Sequence, residues 1–478
     1  MRLIVSTLLI VISVFVLESA RSGVEVTHVR LGETPVTAYA RAGADGPVIV
    51  IAHGFAGSSQ MMQGYALPLA QAGYRVFAFD FLGHGRHRVP MSGDVNAIEG
   101  TTRLLVAQTL AVIEAVAEEG TPVGLLGHSM ATDILVRVAD EIDTPGPLVL
   151  LSAFSQEITG AHPDNLLLLV GAWEPGLRAF ALQALGMVDP EAVAGQTLAG
   201  GDVTRRAVVL PMIEHVSILQ SRAGQREALA WFNAGFEEQG TARIWPMGPA
   251  IVGLLIGLVV LFVGLSRRLP RLRMPELDLS VRQRALVVLL PMVATPPLGM
   301  ILNPGLMPVL VADYLAVHLL VYGLIQLGLL VFWRARFGAV SALGFVWLIA
   351  GCAVFAVALD RYAANFWPTG ERLWIIAAIA LGAIAYFVAD ARLCHRASRG
   401  FRWLSRLAFL ASLIIAVMID FAGLFFLLMI APVIVLFYLV FGTMGRAVSH
   451  RTGPLATGLA LGLMLAWSLG VSFPLFQG

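Results

Sequence analysis

Gly127-His128-Ser129-Met130-Ala131 decides the fold, because it stands between the apolar run Pro122-Val123-Gly124-Leu125-Leu126 and the helical pattern Thr132 to Asp140. Strand, sharp turn and helix with serine at the apex make an elbow in which the serine backbone is strained. Its neighbours two residues before and after must be small, so Gly127 and Ala131 let the turn close while Oγ stays exposed. Ala131 stands where a second glycine is commoner. Alone, the pentapeptide also fits an ordinary strand-to-helix turn, and its surroundings carry the choice.

On either side, residues 24–243 alternate β-rich apolar runs with helical patterns. The strand candidates are Val24 to Leu31, Pro35 to Ala40, Pro47 to Ala52, Arg75 to Asp80, Pro122 to Leu126, Pro147 to Leu151, Leu166 to Val170 and Arg206 to Leu210. Helix-sized segments such as 59–71, 96–118, 129–141 and 217–234 lie between them. Continuous apolar strands separated by helices predict a doubly wound α/β fold with a mostly parallel, eight-stranded sheet covered on both faces. Loops that carry function then sit at the carboxyl ends of the strands. The first two strands are close enough to form an antiparallel edge pair.

Three further motifs fall at such ends. His53-Gly54-Phe55-Ala56 follows Val48-Ile49-Val50-Ile51, and a glycine there lets the backbone approach a substrate. The N–H of Phe55 can then face an oxyanion together with that of Met130. Glu174 follows the run Leu166 to Val170, beside Trp173, and His215 follows Val208-Val209-Leu210. The chain order is therefore serine, acid, histidine, each on a different strand end.

With these motifs together, residues 24–243 resemble the α/β-hydrolase superfamily. The resemblance rests on His53-Gly54-Phe55-Ala56-Gly57-Ser58-Ser59, on Asp80-Phe81-Leu82-Gly83-His84-Gly85, on the serine elbow, and on His215-Val216-Ser217-Ile218-Leu219. It implies Ser129 as nucleophile, His215 as general base and then acid, and Glu174 orienting the imidazole. Candidates for touching substrate are His53, Gly54, His128 and Trp173, with His53 also read as ordering its loop. Asp164 is the rival acid, but it precedes its strand and so lies at the wrong end of the sheet. Asp80 belongs to a loop that is usually structural in the superfamily. His84 and His87 lack further ligand spacing, so no metal and no cofactor are expected. Many members insert a lid before the acid-bearing strand, whereas only Ser152 to Asn165 stand there, which predicts an uncapped site. An open site suits long or amphiphilic acyl groups, with a lipid surface or the chain's own helices as cover.

The rest of the chain is of another kind. Of 478 residues 58% are hydrophobic and 13% charged, far from the composition of a soluble enzyme, and the excess lies in residues 244–478. Met1-Arg2 followed by the apolar run Leu3 to Leu17 reads as an uncleaved anchor over residues 1–20. Eight further spans are expected at 247–266, 285–303, 313–333, 339–359, 373–391, 404–420, 421–441 and 455–475. Every basic residue is arginine. Arg267 to Arg284, Arg334 with Arg336, Arg392 to Arg406, and Arg446 with Arg451 fall in alternate loops. If that side is cytoplasmic, Arg2 is cytoplasmic too and the 24–243 region lies outside a bacterial plasma membrane. A net charge of +1 argues against a nucleic-acid partner, and neither Cys352 nor Cys394 is in the globular part.

At lipid depth Asp313, His318, Gln326, Asp390 and Asp420 stand out. Asp313 and Asp390 are read as reaching water from helix ends, and His318 as making an interhelical hydrogen bond. Asp420 marks either a turn between two helices or a re-entrant piece. Pro291, Pro296, Pro297, Pro304 and Pro308 are expected to break the region they occupy. Three functions follow: a membrane-bound serine hydrolase acting on ester, thioester or lipid acyl bonds, an acyltransferase on the same triad, or a transporter or flippase with an accessory hydrolase-like domain.

Overall fold

The computed structural model describes residues 1–93, 98–274 and 277–477. Nine strands among them form one sheet: β1 (Glu25–Leu31), β2 (Thr34–Ala40), β3 (Val48–Ala52), β4 (Arg75–Phe79), β5 (Val123–His128), β6 (Pro145–Leu151), β7 (Asn165–Gly171), β8 (Thr197–Gly200) and β9 (Val203–Leu210). Their order is β1-β2-β4-β3-β5-β6-β7-β9-β8. From β4 to β9 the pairs are parallel, while β1, β2 and β8 add antiparallel edges. The count of eight was one short. Thr197-Leu198-Ala199-Gly200 has no apolar run to announce it, and pairs with β9 from Thr197↔Arg206 to Gly200↔Val203.

Strands β3 and β5 are buried along their whole length, as expected for strands covered on both faces. One face carries α2 (Gln63–Gln71) and α6 (Arg222–Gly235) through Tyr65, Leu69 and Phe232. The other carries α3 (Arg103–Val116), α4 (Met130–Glu141) and α5 (Pro175–Gly186) through Leu105, Leu135 and Leu185. Each such side chain contributes about 1.5–3 kcal/mol. The expected segment 96–118 begins outside the described residues; from Ile98 a π turn to Thr102 leads into α3.

The all-helical remainder comprises α1 (Arg2–Arg21), α7 (Met247–Leu265), α8 (Val281–Leu302), α9 (Ala312–Phe332), α10 (Ala342–Tyr362), α11 (Arg372–Cys394), α12 (Arg399–Ile419), α13 (Phe421–Leu424), α14 (Leu427–Thr452) and α15 (Pro454–Ser472). Except for α13, each is long and apolar enough to cross a membrane, nine helices among the described residues. Asp420 ends α12 and accepts the N–H of Gly423 at 2.9 Å, so the stretch turns there and continues in two helices. The prolines do not break α8, which runs through Pro291, Pro296 and Pro297. A neighbouring group takes up freed backbone: the Gln326 amide donates at 3.1 Å to the carbonyl of Val287, four residues before Pro291.

Small residues set the closest helix contacts. A Cβ at Gly253 would meet Ser13 Oγ at 2.7 Å and one at Gly257 would meet Ile10 at 2.7 Å, so α1 lies directly on α7. Gly458 and Gly462 of α15 likewise face the backbone of Val388 and Ile384 on α11. His318 donates or accepts across to Ser412 at 2.8 Å, the interhelical bond expected of it. Asp390 does not reach water: it is 1% exposed and holds Arg406 at 2.9 Å. Asp313 is also buried, accepting the N–H of Met307 at 2.6 Å.

The arginine clusters gather at the helix ends away from the sheet. Arg451 donates to Leu269 O and Arg392 to Arg336 O, both at 2.8 Å, and Arg2 lies near Arg267. At the other end the helices dock on the loop after β4. Arg86 pairs with Asp360 at 2.8 Å, and the fully buried Arg372 donates to Gly83 O at 2.6 Å and His87 O at 3.1 Å. The tail joins them, with Leu475 N–H bonded to Gly83 O at 2.9 Å and Gln477 N–H to Met91 O at 2.7 Å.

Candidate active site

Strand β5 delivers Ser129 at φ 54°, ψ −118°, a backbone that few non-glycine residues adopt. The small neighbours are required: a Cβ at Gly127 would meet Leu135 at 2.8 Å and the carbonyl of Ala131 at 3.2 Å, and Ala131 is fully buried. Thr132 Oγ1 donates to Ser129 O at 2.6 Å and accepts the N–H of Phe154 at 3.2 Å, tying the elbow to the end of β6.

Ser129, His215 and Glu174 meet. Ser129 Oγ is 2.9 Å from His215 Nε2, and His215 Nδ1 is 2.6 Å from Glu174 Oε1. A carboxylate only accepts, so Nδ1 carries the proton and Nε2 is free to accept from the serine. Glu174 is 8% exposed. Burial alone would raise its carboxyl pKa, but bonds from His215, from the Gly171 N–H at 2.8 Å and from the Ser152 hydroxyl at 2.8 Å hold it below the usual carboxylate range. It stays ionised beside the imidazole. Asp164 lies before β7, at the opposite end of that strand, and does not join them.

Met130 is the first residue of α4, where a backbone N–H has no intrahelical acceptor. Phe55 sits on the facing loop. Gly54 is what allows the approach: a Cβ there would lie 2.9 Å from His128 Nδ1 and 3.0 Å from Ser129 Cβ. Both candidate oxyanion donors therefore flank the serine.

Two of the four residues proposed to touch substrate are turned to other work. His53 is 1% exposed; its Nδ1 donates to Gly54 O at 2.7 Å and its Nε2 accepts the N–H of Phe81 at 3.2 Å. One nitrogen is spent inside its own loop and the other on the loop after β4, which fits the reading that it orders its loop. His128 is 6% exposed and donates from Nε2 to the backbone carbonyl of His215 at 2.8 Å. It fastens the turn that carries His215. Burial first, then the nearby His215, pushes the His128 pKa down to about 4, so the ring is neutral. Trp173, by contrast, is 66% exposed on the rim beside Glu174.

Two positioning residues were not anticipated. Ser152, at φ 52° after β6, holds Glu174, and Glu214 accepts the N–H groups of Ser217 at 2.6 Å and Val216 at 3.0 Å, fixing the turn around His215. A serine directly after an apolar strand in such a sheet was the available signal for the first; nothing in the sequence separates the second from an exposed acid. Asp80 is structural, accepting from Ser59 N–H at 2.7 Å and Arg86 N–H at 2.9 Å. His84 donates to Leu82 O at 2.8 Å, and His87 Nδ1 accepts the Val89 N–H at 3.1 Å.

No helical lid stands between β6 and β7. Cover over the Phe55 side comes from the helical part and its tail, where Phe426 and Phe476 lie 5.6 and 6.5 Å from the Phe55 ring. The remaining rim is apolar and open, with Phe154, Trp173, Met212 and Val216 all more than half exposed.

A family model described as serine aminopeptidase, S33, matches residues 44–184. Among solved structures, a proline iminopeptidase-related protein from Thermus thermophilus is 16% identical over 45% of this chain and 98% of its own, with a TM-score of 0.33. An epoxide hydrolase from an endophytic Streptomyces is 16% identical over 45% of this chain and 96% of its own, also at 0.33. A Vigna radiata epoxide hydrolase mutant is 22% identical over 28% of this chain and 40% of its own, at 0.23. A comparison with curated proteins yields no match. The chain joins an α/β-hydrolase-like sheet of serine-hydrolase type to an all-helical region of long apolar helices.

Proposed function

We propose that the chain is a membrane-bound serine hydrolase that cleaves ester, thioester or lipid acyl bonds, with residues 24–243 as its catalytic domain. The observation that carries this is the unbroken relay from Ser129 Oγ through His215 to Glu174, with spacings of 2.9 and 2.6 Å. His215 Nε2 takes the serine proton as Oγ attacks the acyl carbon, and Glu174 stabilises the imidazolium. The N–H groups of Phe55 and Met130 receive the charge that builds on the carbonyl oxygen. His215 then returns its proton to the leaving group as the acyl-enzyme forms, and water repeats the cycle. An alcohol in place of water would give acyl transfer from the same intermediate.

The apolar rim, with Phe426 from the turn before α14 and Phe476 from the tail, supports a long or amphiphilic acyl group. Arginine-rich ends opposite the sheet support a catalytic domain outside a bacterial plasma membrane. A fluorophosphonate probe tests the reactive serine and the orientation. It is expected to label the wild type on intact cells, and Ser129→Ala is expected to abolish labelling. Labelling that survives Ser129→Ala would end the proposal, and labelling seen only after permeabilisation would reverse the orientation.

A further inference from the structure

A second polar site lies at the far end of the helices, where α11, α12, α14 and α15 enclose a cavity. Arg402, Arg406 and Arg446 line it, with Asp390 as the carboxylate among the lining residues. That carboxylate is committed: Oδ2 and Oδ1 accept from Arg406 at 2.9 and 3.3 Å, and the Cys394 thiol donates to Oδ1 at 3.2 Å. With Arg396, which also lines it, four arginines thus stand around one acid. Surface arginines at a membrane face need no ligand, but these surround a recess among helices, and the Arg406 side chain is only 13% exposed.

A separate observation points the same way. His395 also lines the cavity and is 8% exposed. Its Nδ1 is bonded to Ser449 Oγ at 2.9 Å, while its buried Nε2 has no hydrogen-bond partner among the described residues. A buried imidazole nitrogen without a partner costs free energy unless a ligand supplies one. Arginine forks, a histidine nitrogen and neighbouring hydroxyls together match a tetrahedral oxyanion. Trp403 and Leu439 on the cavity wall are 41 and 48% exposed, so an apolar edge adjoins the cationic pocket.

We infer that this cavity binds a phosphate group, such as the headgroup of an anionic membrane lipid whose chains lie along Trp403 and Leu439. The site is independent of the reaction proposed for Ser129.

The test uses the full chain in nanodiscs, comparing thermal stability in phosphatidylglycerol with that in phosphatidylcholine, and with inorganic phosphate added to the latter. The Arg402→Gln/Arg446→Gln variant leaves the Asp390–Arg406 pair in place and so is expected to fold. Arg282→Gln/Arg334→Gln removes the same charge from exposed positions at the same end. Phosphatidylglycerol or free phosphate is expected to stabilise the wild type saturably, with the cavity variant binding about tenfold or more weakly and the control unchanged. Stabilisation by phosphate alone assigns the free ion, and stabilisation by the lipid alone assigns the headgroup; both support the site. The proposal fails if neither ligand acts, if phosphatidylcholine acts as well as phosphatidylglycerol, or if the control variant loses as much as the cavity variant.

Discussion

Gly54 shows how little room the site leaves. Any side chain there collides with His128 and with Ser129 itself, and the loop cannot withdraw because His53 is bonded at both ring nitrogens. Gly54→Ala is expected to displace Phe55 from the serine and to lower kcat by about a hundredfold, with little change in KM for a short ester. Steady-state kinetics check this, and an undiminished kcat would remove Phe55 from the oxyanion role. Ser152 is a milder case. Ser152→Ala takes one of three hydrogen bonds from a buried carboxylate, so activity should fall about tenfold. The acid limb of the pH–rate profile should also move upward, because the lost bond favoured the charged form of Glu174. A profile that keeps its acid limb would show that Ser152 only fills space.

At the scale of elements, what the sequence makes legible follows from how local the cause is. Strands β3, β5 and β7 are rich in Val, Leu and Ile because both faces are covered, and that cause lies within five to seven residues of chain. The elbow is readable for the same reason. Strand β8 is not, since only pairing with β9 makes it a strand. The direction of His128 was equally hidden, being set by the carbonyl of a residue far along the chain. Nor could the break at Asp420 reveal its consequence, which is to bring Phe426 from the helices to within 5.6 Å of the Phe55 ring. Phe426→Ala is expected to lower kcat/KM for long-chain esters about tenfold and leave acetate esters unaffected. Equal loss on both substrates would mean that the ring supports the loop and does not meet the acyl chain.

Over the whole molecule, the junction between sheet and helices is where acid should act first. His53, His84 and His87 are each 1% exposed in or beside the loop that docks on Arg372 and the tail. Burial lowers the pKa of all three, and for His84, where the neighbouring His53 and Arg372 add to it, to about 3. A histidine with a folded pKa below its unfolded value of about 6.5 binds its proton only after the site opens. Its contribution to stability is therefore complete above about pH 6.5 and is lost as the pH falls toward the folded value. For His128, lowered to about 4, that loss approaches about 3 kcal/mol. Apolar contacts between helices carry no such dependence. Hydrogen exchange between pH 7 and 5 should then show residues 81–91 and 473–477 opening while α11 and α15 stay protected, since the loop and tail share their backbone bonds and the two helices are packed at the bundle's centre. Uniform exchange across both regions would place the acid-sensitive step elsewhere, and His84→Gln should weaken the pH response of the junction because it removes one of the three groups that must be charged.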